Sequence, residues 1–423
     1  SLPLGYLLVI AQAHALLVAL VFLLGVHLAS PRVGAIAAAT AMACPLLLDA
    51  FSPGMSQVPA ATLAALAWLI LLRWRGAGTA VLAAIPAAAA WYLRGESILM
   101  APLWVWVAGR ERPRRGILFL ATYLLLCAPW PLHLLGATGA ASSVQGNPML
   151  LYTPEYPGYS STRSYGVPLP GAIPYVLAHP ATLAVRWLKD SLGFGLDLLG
   201  GLGPLAVGLG IAGLLLRDPR DRYGWLRVTM PFAAAIAIQI AAFSALERSP
   251  RFLVPAVPLA CVITGIVAAP ALDRICGRRA QAALIALLIA FGALTVAFQT
   301  REAPRRFPPL PEEAASALNS AATSGAWPRD QLILSDVPDW VAWHADRPAL
   351  LLPLSRDLAA VVRDHPVAAI FLSPAARERN AADGDTAWVG LLDRCEPPTG
   401  FNPPASLPGG ARLYVRSPAR PLR

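Results

Sequence analysis

Apolar positions along the first three hundred residues run in continuous blocks, with neither the two-residue alternation of strands nor the one-sided stripe of surface helices. Each block is about 12–23 residues long and is closed by a cluster of Arg, Pro or Gly. Hydrocarbon offers backbone groups no water, so such blocks must be helices. Spans are expected at Tyr6–Leu28, Val33–Leu48, Met55–Leu72, Gly116–Leu135, Leu202–Leu216, Leu226–Leu246, Phe252–Pro270 and Ala280–Phe298. Thr79–Leu93 and Ser97–Ala108 are too short to cross alone and read as a hairpin with its tip at Arg94-Gly95-Glu96. That makes about ten membrane segments in residues 1–300.

Two stretches break the pattern. Residues 136–201 form a long loop rich in Gly, Pro, Ser and Tyr. Its second half, from Ile173 to about Leu199, sets Val176, Leu177, Leu183, Trp187 and Leu188 against His179, Arg186, Lys189 and Asp190, as in an amphipathic helix lying in the interface. After Phe298 the composition shifts to charge, Pro and Asp. In residues 301–423, helices are expected at Pro311–Thr323, Pro338–Ala345 and Ser355–Asp364. Short buried strands are expected at Gln331–Ser335, Ala349–Leu352, Ala368–Leu372 and Arg412–Arg416. The fold class is therefore an all-α polytopic membrane domain over residues 1–300, followed by a small soluble α/β domain over residues 301–423.

Composition agrees: 56% of residues are apolar and 14% charged, well below the charge of a soluble domain. The net charge of +10 does not point to nucleic acid, because the arginines sit in short loops between apolar blocks. With loops assigned alternately to two sides, one side receives fourteen arginines (Arg32, Arg73, Arg75, Arg110, Arg112, Arg114, Arg115, Arg217, Arg220, Arg222, Arg227, Arg274, Arg278, Arg279), and the short loops of the other receive three (Arg94, Arg248, Arg251). The first side is then cytoplasmic. The 136–201 loop and the C-terminal domain lie outside, as does the N-terminus. The chain begins at Ser1 with no basic n-region, so it reads as cut, with one further span and an acidic external loop expected upstream. The five cysteines, Cys44, Cys127, Cys261, Cys276 and Cys395, form no CxxC pair and read as packing residues.

Ionisable groups at membrane depth are candidates for function. Arg94 and Glu96 sit at the hairpin tip, either as a turn-capping pair or with the guanidinium aimed at a phosphate, whose oxygens its fork fits. Glu247, Arg248 and Arg251 crowd one tight external loop. Asp49, with Ser56 and Gln57, lies at the external end of the second and third segments, as a turn residue, a general base or a metal ligand. His14 and Gln12 near the outer end of the first segment read as packing residues. In the external loop, Asn147, Tyr152, Glu155, Tyr156, Tyr159, Arg163 and Tyr165 suit sugar contacts as well as any interface loop. Residues 301–423 hold no GxGxxG, P-loop or HExxH motif.

The order of these pieces resembles a family. The hairpin tip Tyr92-Leu93-Arg94-Gly95-Glu96-Ser97 is followed by a basic loop, then Pro129-Trp130. Gln145-Gly146-Asn147-Pro148, Ala178-His179-Pro180 and Arg251-Phe252-Leu253-Val254-Pro255-Ala256-Val257-Pro258 come next. This is similar to bacterial GT-C-fold glycosyltransferases, relatives of the dolichyl-phosphate-mannose protein mannosyltransferases and of the aminoarabinose transferase of lipid A. The resemblance implies transfer of a sugar from a polyprenyl-phosphate carrier to an acceptor hydroxyl on a glycan, lipid or protein, outside the cytoplasmic membrane. It implies acid roles for Asp49 and Glu96, donor-phosphate binding by Arg94, Arg248 and Arg251, and substrate contacts from Glu247, Asn147, Tyr152, Tyr156 and Arg163. It fixes no cofactor and leaves room for a divalent metal of unknown ligands. The partners implied are the lipid-linked donor and membrane lipid, with no nucleic acid. The resemblance implies a key acid in a first external loop, expected upstream of Ser1, and Gln57 stands where a second acid is often found. A transporter or flippase of a lipid-linked phosphate or sugar would use the same cations, but no second copy of the hairpin marks an internal repeat. A bare membrane anchor leaves Arg94 and Glu96 unexplained.

Overall fold

In the structure, a computed structural model, the residues described are 2–49, 56–138, 148–216, 222–275 and 312–417, apart from 324–327, 381–384 and scattered single positions, together with a few positions between 277 and 294. The chain falls into two compact units, one comprising residues 1–143 and 179–303, the other residues 144–178 and 304–423.

The first unit is helical. α1 (Leu2–Leu28), α2 (Pro31–Met42), α3 (Pro45–Asp49), α4 (Gln57–Arg73) and α5 (Ala77–Leu93) follow in order. A 3₁₀ stretch, Gly95–Met100, leads into α6 (Ala101–Gly109), and α7 (Pro113–Cys127) and α8 (Pro129–Thr138) complete the first half. After the loop come α10 (Pro180–Leu202), α11 (Pro204–Leu215), α12 (Arg222–Ser244), a 3₁₀ stretch Pro250–Ala256 and α13 (Val257–Ile275). Among the described residues, four stretches are long and apolar enough to cross a membrane, Leu8–Leu28, Pro113–Ala137, Gly224–Ser244 and Pro250–Arg274, and the bent pair Pro180–Leu202 and Ala206–Leu215 passes the same test together. The expected Val33–Leu48 span is broken at Ala43 and Cys44, where Pro45 starts a new helix. The expected interfacial helix is likewise two pieces, since Pro180 opens α10 after a seven-residue helix α9 (Ala172–Ala178). The Ala280–Phe298 span lies largely outside the described residues.

Lipid and core divide each helix. On α7, Gly116, Phe119, Tyr123 and Cys127 are buried at helical spacing, while Ile117, Leu120, Leu124 and Leu125 point outward. The last of the crossing stretches, Pro250–Arg274, is 89% inside the bundle and serves as its central post. At its heart Trp68 meets Trp104 edge-on at 6.4 Å and Phe232 at 5.2 Å. Close helix approach comes from small residues: a Cβ on Gly25 would lie 2.7 Å from Gly34, and one on Gly265 would lie 2.7 Å from the Val33 carbonyl. Cys44, Cys127 and Cys261 are buried packing residues.

One end of this bundle is held by basic side chains. Arg32 pairs with Asp273, Arg75 lies 3.2 Å from Glu111, and Arg274 donates to the Leu216 carbonyl. The buried Arg115 guanidinium donates to the Leu71 carbonyl at 2.9 Å and to that of Trp74, which are open carbonyls at the end of α4.

In the second unit, β1 (Leu332–Ser335), β2 (Ala349–Leu351), β3 (Val367–Leu372), β4 (Ala405–Ser406) and β5 (Arg412–Val415) form one sheet in the order β2-β1-β3-β5-β4. β1 is parallel to β2 and β3, and β5 runs antiparallel to β3 and β4. β3 reads Val-Ala-Ala-Ile-Phe-Leu and is buried throughout, as a strand covered on both faces requires. Ile333, Phe371 and Leu413 pack toward one layer, and Leu334, Ile370, Leu372 and Tyr414 toward the other. Loop residues Arg163 and Tyr165 belong to this unit. Tyr165 is bonded through its N–H to Asp357 (3.0 Å) and through its hydroxyl to Asp364 (3.2 Å).

Candidate functional site

The site begins where α5 stops. Arg94 is extended (φ −151°, ψ 108°), which ends the helix, yet its N–H still donates to the Ala90 carbonyl at 2.9 Å. The next turn is 3₁₀ and carries Glu96, so the two charges sit two residues apart on one tight corner. The Arg94 Nε donates to Glu96 Oε1, and the two side chains are only 15% and 16% exposed. Use of Nε by Glu96 leaves the two terminal nitrogens, the half of the fork suited to two phosphate oxygens, without an acceptor among the described residues.

A second wall comes from the far half of the sequence. The Phe252 ring has the Arg94 guanidinium carbon 5.9 Å and the Arg251 guanidinium carbon 5.0 Å from its centroid. It also stacks on Phe243 of α12 at 4.4 Å with the planes 3° apart, and its carbonyl accepts from Gln239 Nε2 at 2.6 Å. Phe252 is thus clamped by α12 and serves as a fixed platform for two cations. Each guanidinium gains from the π face, the two cations repel one another, and Glu96 offsets the charge of Arg94. An anion entering between them would remove that cost. The N-terminus of α4 closes the corner, where Ser56 Oγ donates to the Leu93 carbonyl at 3.1 Å and Gln57 follows, buried.

The remaining expected residues are placed as follows. Asp49 ends α3, exposed, and α3 packs against the Pro250–Ala256 turn that carries Arg251 and Phe252. Arg248 is held bidentately by Asp197 of α10, through Nε at 2.9 Å and an Nη at 2.8 Å, and this bond raises its pKa above the usual guanidinium value. Glu247, Asn147 and Tyr152 lie outside the described residues. Tyr156 and Arg163 are in the second unit. Tyr156 is half-buried, edge-on to Tyr159 at 6.4 Å. Arg163 is buried, and its guanidinium donates to the carbonyls of Leu352 (3.0 Å) and Pro353 (3.2 Å), to Asn380 Oδ1 (2.6 Å) and to Asp385 (3.5 Å). Those bonds strap the loop to its own unit. Phe243, Gln239 and Asp197 were not singled out from sequence, and Phe252 entered only as the aromatic of the motif that begins at Arg251.

Among the described residues no group of three or more His, Cys, Asp or Glu could hold a metal ion. Among the described residues, Asp49 and Glu96 are not gathered with a third such ligand.

No known family model matches the chain, and no curated protein matches it in sequence. Solved structures do. ArnT from Cupriavidus metallidurans bound to undecaprenyl phosphate superposes with a TM-score of 0.57 at 14% identity, over 98% of this chain and 84% of that one. The same protein in the apo state gives 0.52 at 13% identity, over 89% and 80%. An Archaeoglobus fulgidus oligosaccharyltransferase crystallised with Zn and sulfate gives 0.54 at 17% identity, over 97% of this chain but 61% of that one. At these identities the likeness is one of fold. The chain has the GT-C fold, a multi-pass membrane domain joined to a small α/β domain.

Proposed function

We propose that the chain is a glycosyltransferase that moves a sugar from a polyprenyl-phosphate carrier to an acceptor hydroxyl on the external side of the cytoplasmic membrane. The observation that carries this reading is the pair of guanidinium groups of Arg94 and Arg251 set against one clamped ring, Phe252, with the Glu96 carboxylate on Arg94. A fold shared with a protein that binds undecaprenyl phosphate supports it.

In this reading the donor phosphate enters between Arg94 and Arg251, with Glu96 fixing the Arg94 fork through Nε. The bond from sugar C1 to the phosphate oxygen breaks, and the electron pair leaves on the phosphate as the polyprenyl phosphate departs. Fixed cations in a partly buried corner stabilise that developing charge more than water would. The acceptor oxygen attacks C1, and its proton goes to a carboxylate. Within this chain we assign that role to Asp49, on the helix packed against the same turn. We assign the second unit an accessory role in acceptor choice. We place it on the external side; the end of the bundle away from Arg94, held by Arg32, Arg75, Arg115 and Arg274, supports that sidedness.

The direct test is binding of undecaprenyl phosphate to the purified full chain. Arg94→Ala and Arg251→Ala should each weaken it about tenfold or more, in line with loss of a charge-assisted bond of about 1.5–3 kcal/mol. Binding unchanged in both variants, with matched folding, would remove the site from these residues.

A further inference from the structure

A cavity lies in the same bundle, at the end away from Arg94. It has a volume of about 690 Å³ and is bounded by α6, α12 and α13. α6 contributes Trp106 and, four residues on, Arg110; the first turns of α12 contribute Trp225, Arg227 and Met230; α13 contributes Ile263. Arg110 and Arg94 bracket the 3₁₀–α6 segment, and Arg227 and Phe243 lie sixteen residues apart on α12, so at 1.5 Å per residue the two places are about 24 Å apart.

Three features of this cavity go together. Its lining holds two arginines and no carboxylate. The neighbouring Glu111 pairs with Arg75, and no acceptor among the described residues takes the guanidinium of Arg110 or of Arg227. Below the two cations the wall is apolar, and Trp106 and Met230 are about half exposed, 42% and 53%, on an outer surface of the bundle. A free anion would use the cations and leave the apolar wall wet; an uncharged lipid would use the wall and leave two cations unmatched. Two tryptophans beside the cations mark the headgroup level, where one end of the ring is apolar and the other wet.

We propose that this cavity is a binding site for an anionic phospholipid of the leaflet on the arginine-rich side, separate from the site at Arg94. Its headgroup phosphate sits between Arg110 and Arg227, and the upper part of an acyl chain lies against Met230 and Ile263. The proposal needs the first unit to be membrane-embedded but does not depend on the transferase reading.

Native mass spectrometry of the detergent-purified full chain tests it, with phosphatidylglycerol as probe and phosphatidylcholine as control. One phosphatidylglycerol should be retained where phosphatidylcholine is not. Arg110→Gln with Arg227→Gln should weaken that binding about thirtyfold, because each cation near an anionic lipid contributes on the order of a fivefold gain. Ala233→Trp, which fills the cavity and keeps both arginines, should lose the same lipid. Millimolar inorganic phosphate should not displace it. A measurement that needs no charge change guards against misfolding: brominated phosphatidylglycerol should quench part of the tryptophan emission, and Trp106→Phe with Trp225→Phe should remove that part. Equal retention by wild type and the double glutamine variant, equal retention of phosphatidylcholine, or displacement by phosphate would each overturn the proposal.

Discussion

Arg163→Ala should loosen the second unit far more than an external loop arginine would suggest. Arg163 and Asp385 are 7% and 8% exposed in their side chains, so the variant strands a buried carboxylate. Asp385 keeps two partners, the Ser355 N–H at 2.8 Å and the Ser355 hydroxyl at 2.6 Å, which reduces the loss. The Leu352 carbonyl and Asn380 Oδ1 lose their Arg163 donor, while Pro353 keeps Trp388 Nε1 at 3.0 Å. Removing one partner of a buried pair costs about 3–5 kcal/mol, and the retained bonds argue for the lower end. A cost of about 3 kcal/mol corresponds to a local opening constant over a hundredfold larger. Hydrogen exchange on the full chain reads this directly: amides of Leu354 and Ser355 and of the β3 strand should exchange about a hundredfold faster. Arg163→Lys should recover little, because one ammonium cannot serve four acceptors spread across a fork. Exchange unchanged in Arg163→Ala would refute the strap and return Arg163 to the substrate contacts suggested by the sequence.

A Cβ on Gly193 would lie 2.4 Å from the Arg248 guanidinium carbon, so Gly193→Ala should displace Arg248 from Asp197. In an Asp197→Ala background the same change should instead stabilise by about 0.5–1 kcal/mol, the helix preference of Ala over Gly, and thermal melting of the four proteins would expose the sign change. Burial beside Trp340, at 4.5 Å, holds the His344 pKa below its usual value, so the unfolded chain binds the proton first as pH falls. Stability of the second unit should therefore drop below about pH 6.5, and His344→Gln should flatten that slope in melting curves. Arg112→Cys should react with a membrane-impermeant maleimide only after cells are opened, and Tyr156→Cys before; the reverse pattern would invert the proposed sidedness.

The apolar blocks were legible because a bilayer tolerates few alternatives to a helix, and the described segments fall where those blocks were read. A break inside one of them was missed at Cys44-Pro45, although a proline that can open a new helix is a written signal, whereas Ala178-His179-Pro180 did mark where the longer interfacial helix begins. In the second unit the four longer strands were read from short apolar runs, whereas Ala405–Ser406 is two residues long and Thr386–Arg394 is a short amphipathic helix between polar stretches. At the site, Arg94 and Glu96 stood out as charges in apolar surroundings, but their shared ring did not. Phe252 reaches Arg94 across more than 150 positions, and Asp385 reaches Arg163 across 222. Such pairings depend on how helices and strands meet, which neither periodicity nor spacing records. Arg248 looked like a second cation for phosphate, and its partner Asp197 was hidden in the apolar turns of α10.

The central claim is that Arg94 and Arg251 stabilise a departing lipid phosphate, and single-turnover transfer tests it most directly. Purified full-length protein in proteoliposomes would be given a radiolabelled polyprenyl-phosphate sugar and an acceptor-bearing membrane extract. Transfer by Arg94→Ala should fall by about 10²–10³, the usual loss for one fixed donor to developing charge, with melting temperature unchanged. Arg94→Lys should recover a small part, and Glu96→Gln should lower the rate less than Arg94→Ala, because it frees the fork without removing it. Transfer by Arg94→Ala at the wild-type rate would contradict the account and leave the Arg94–Glu96 corner a structural turn.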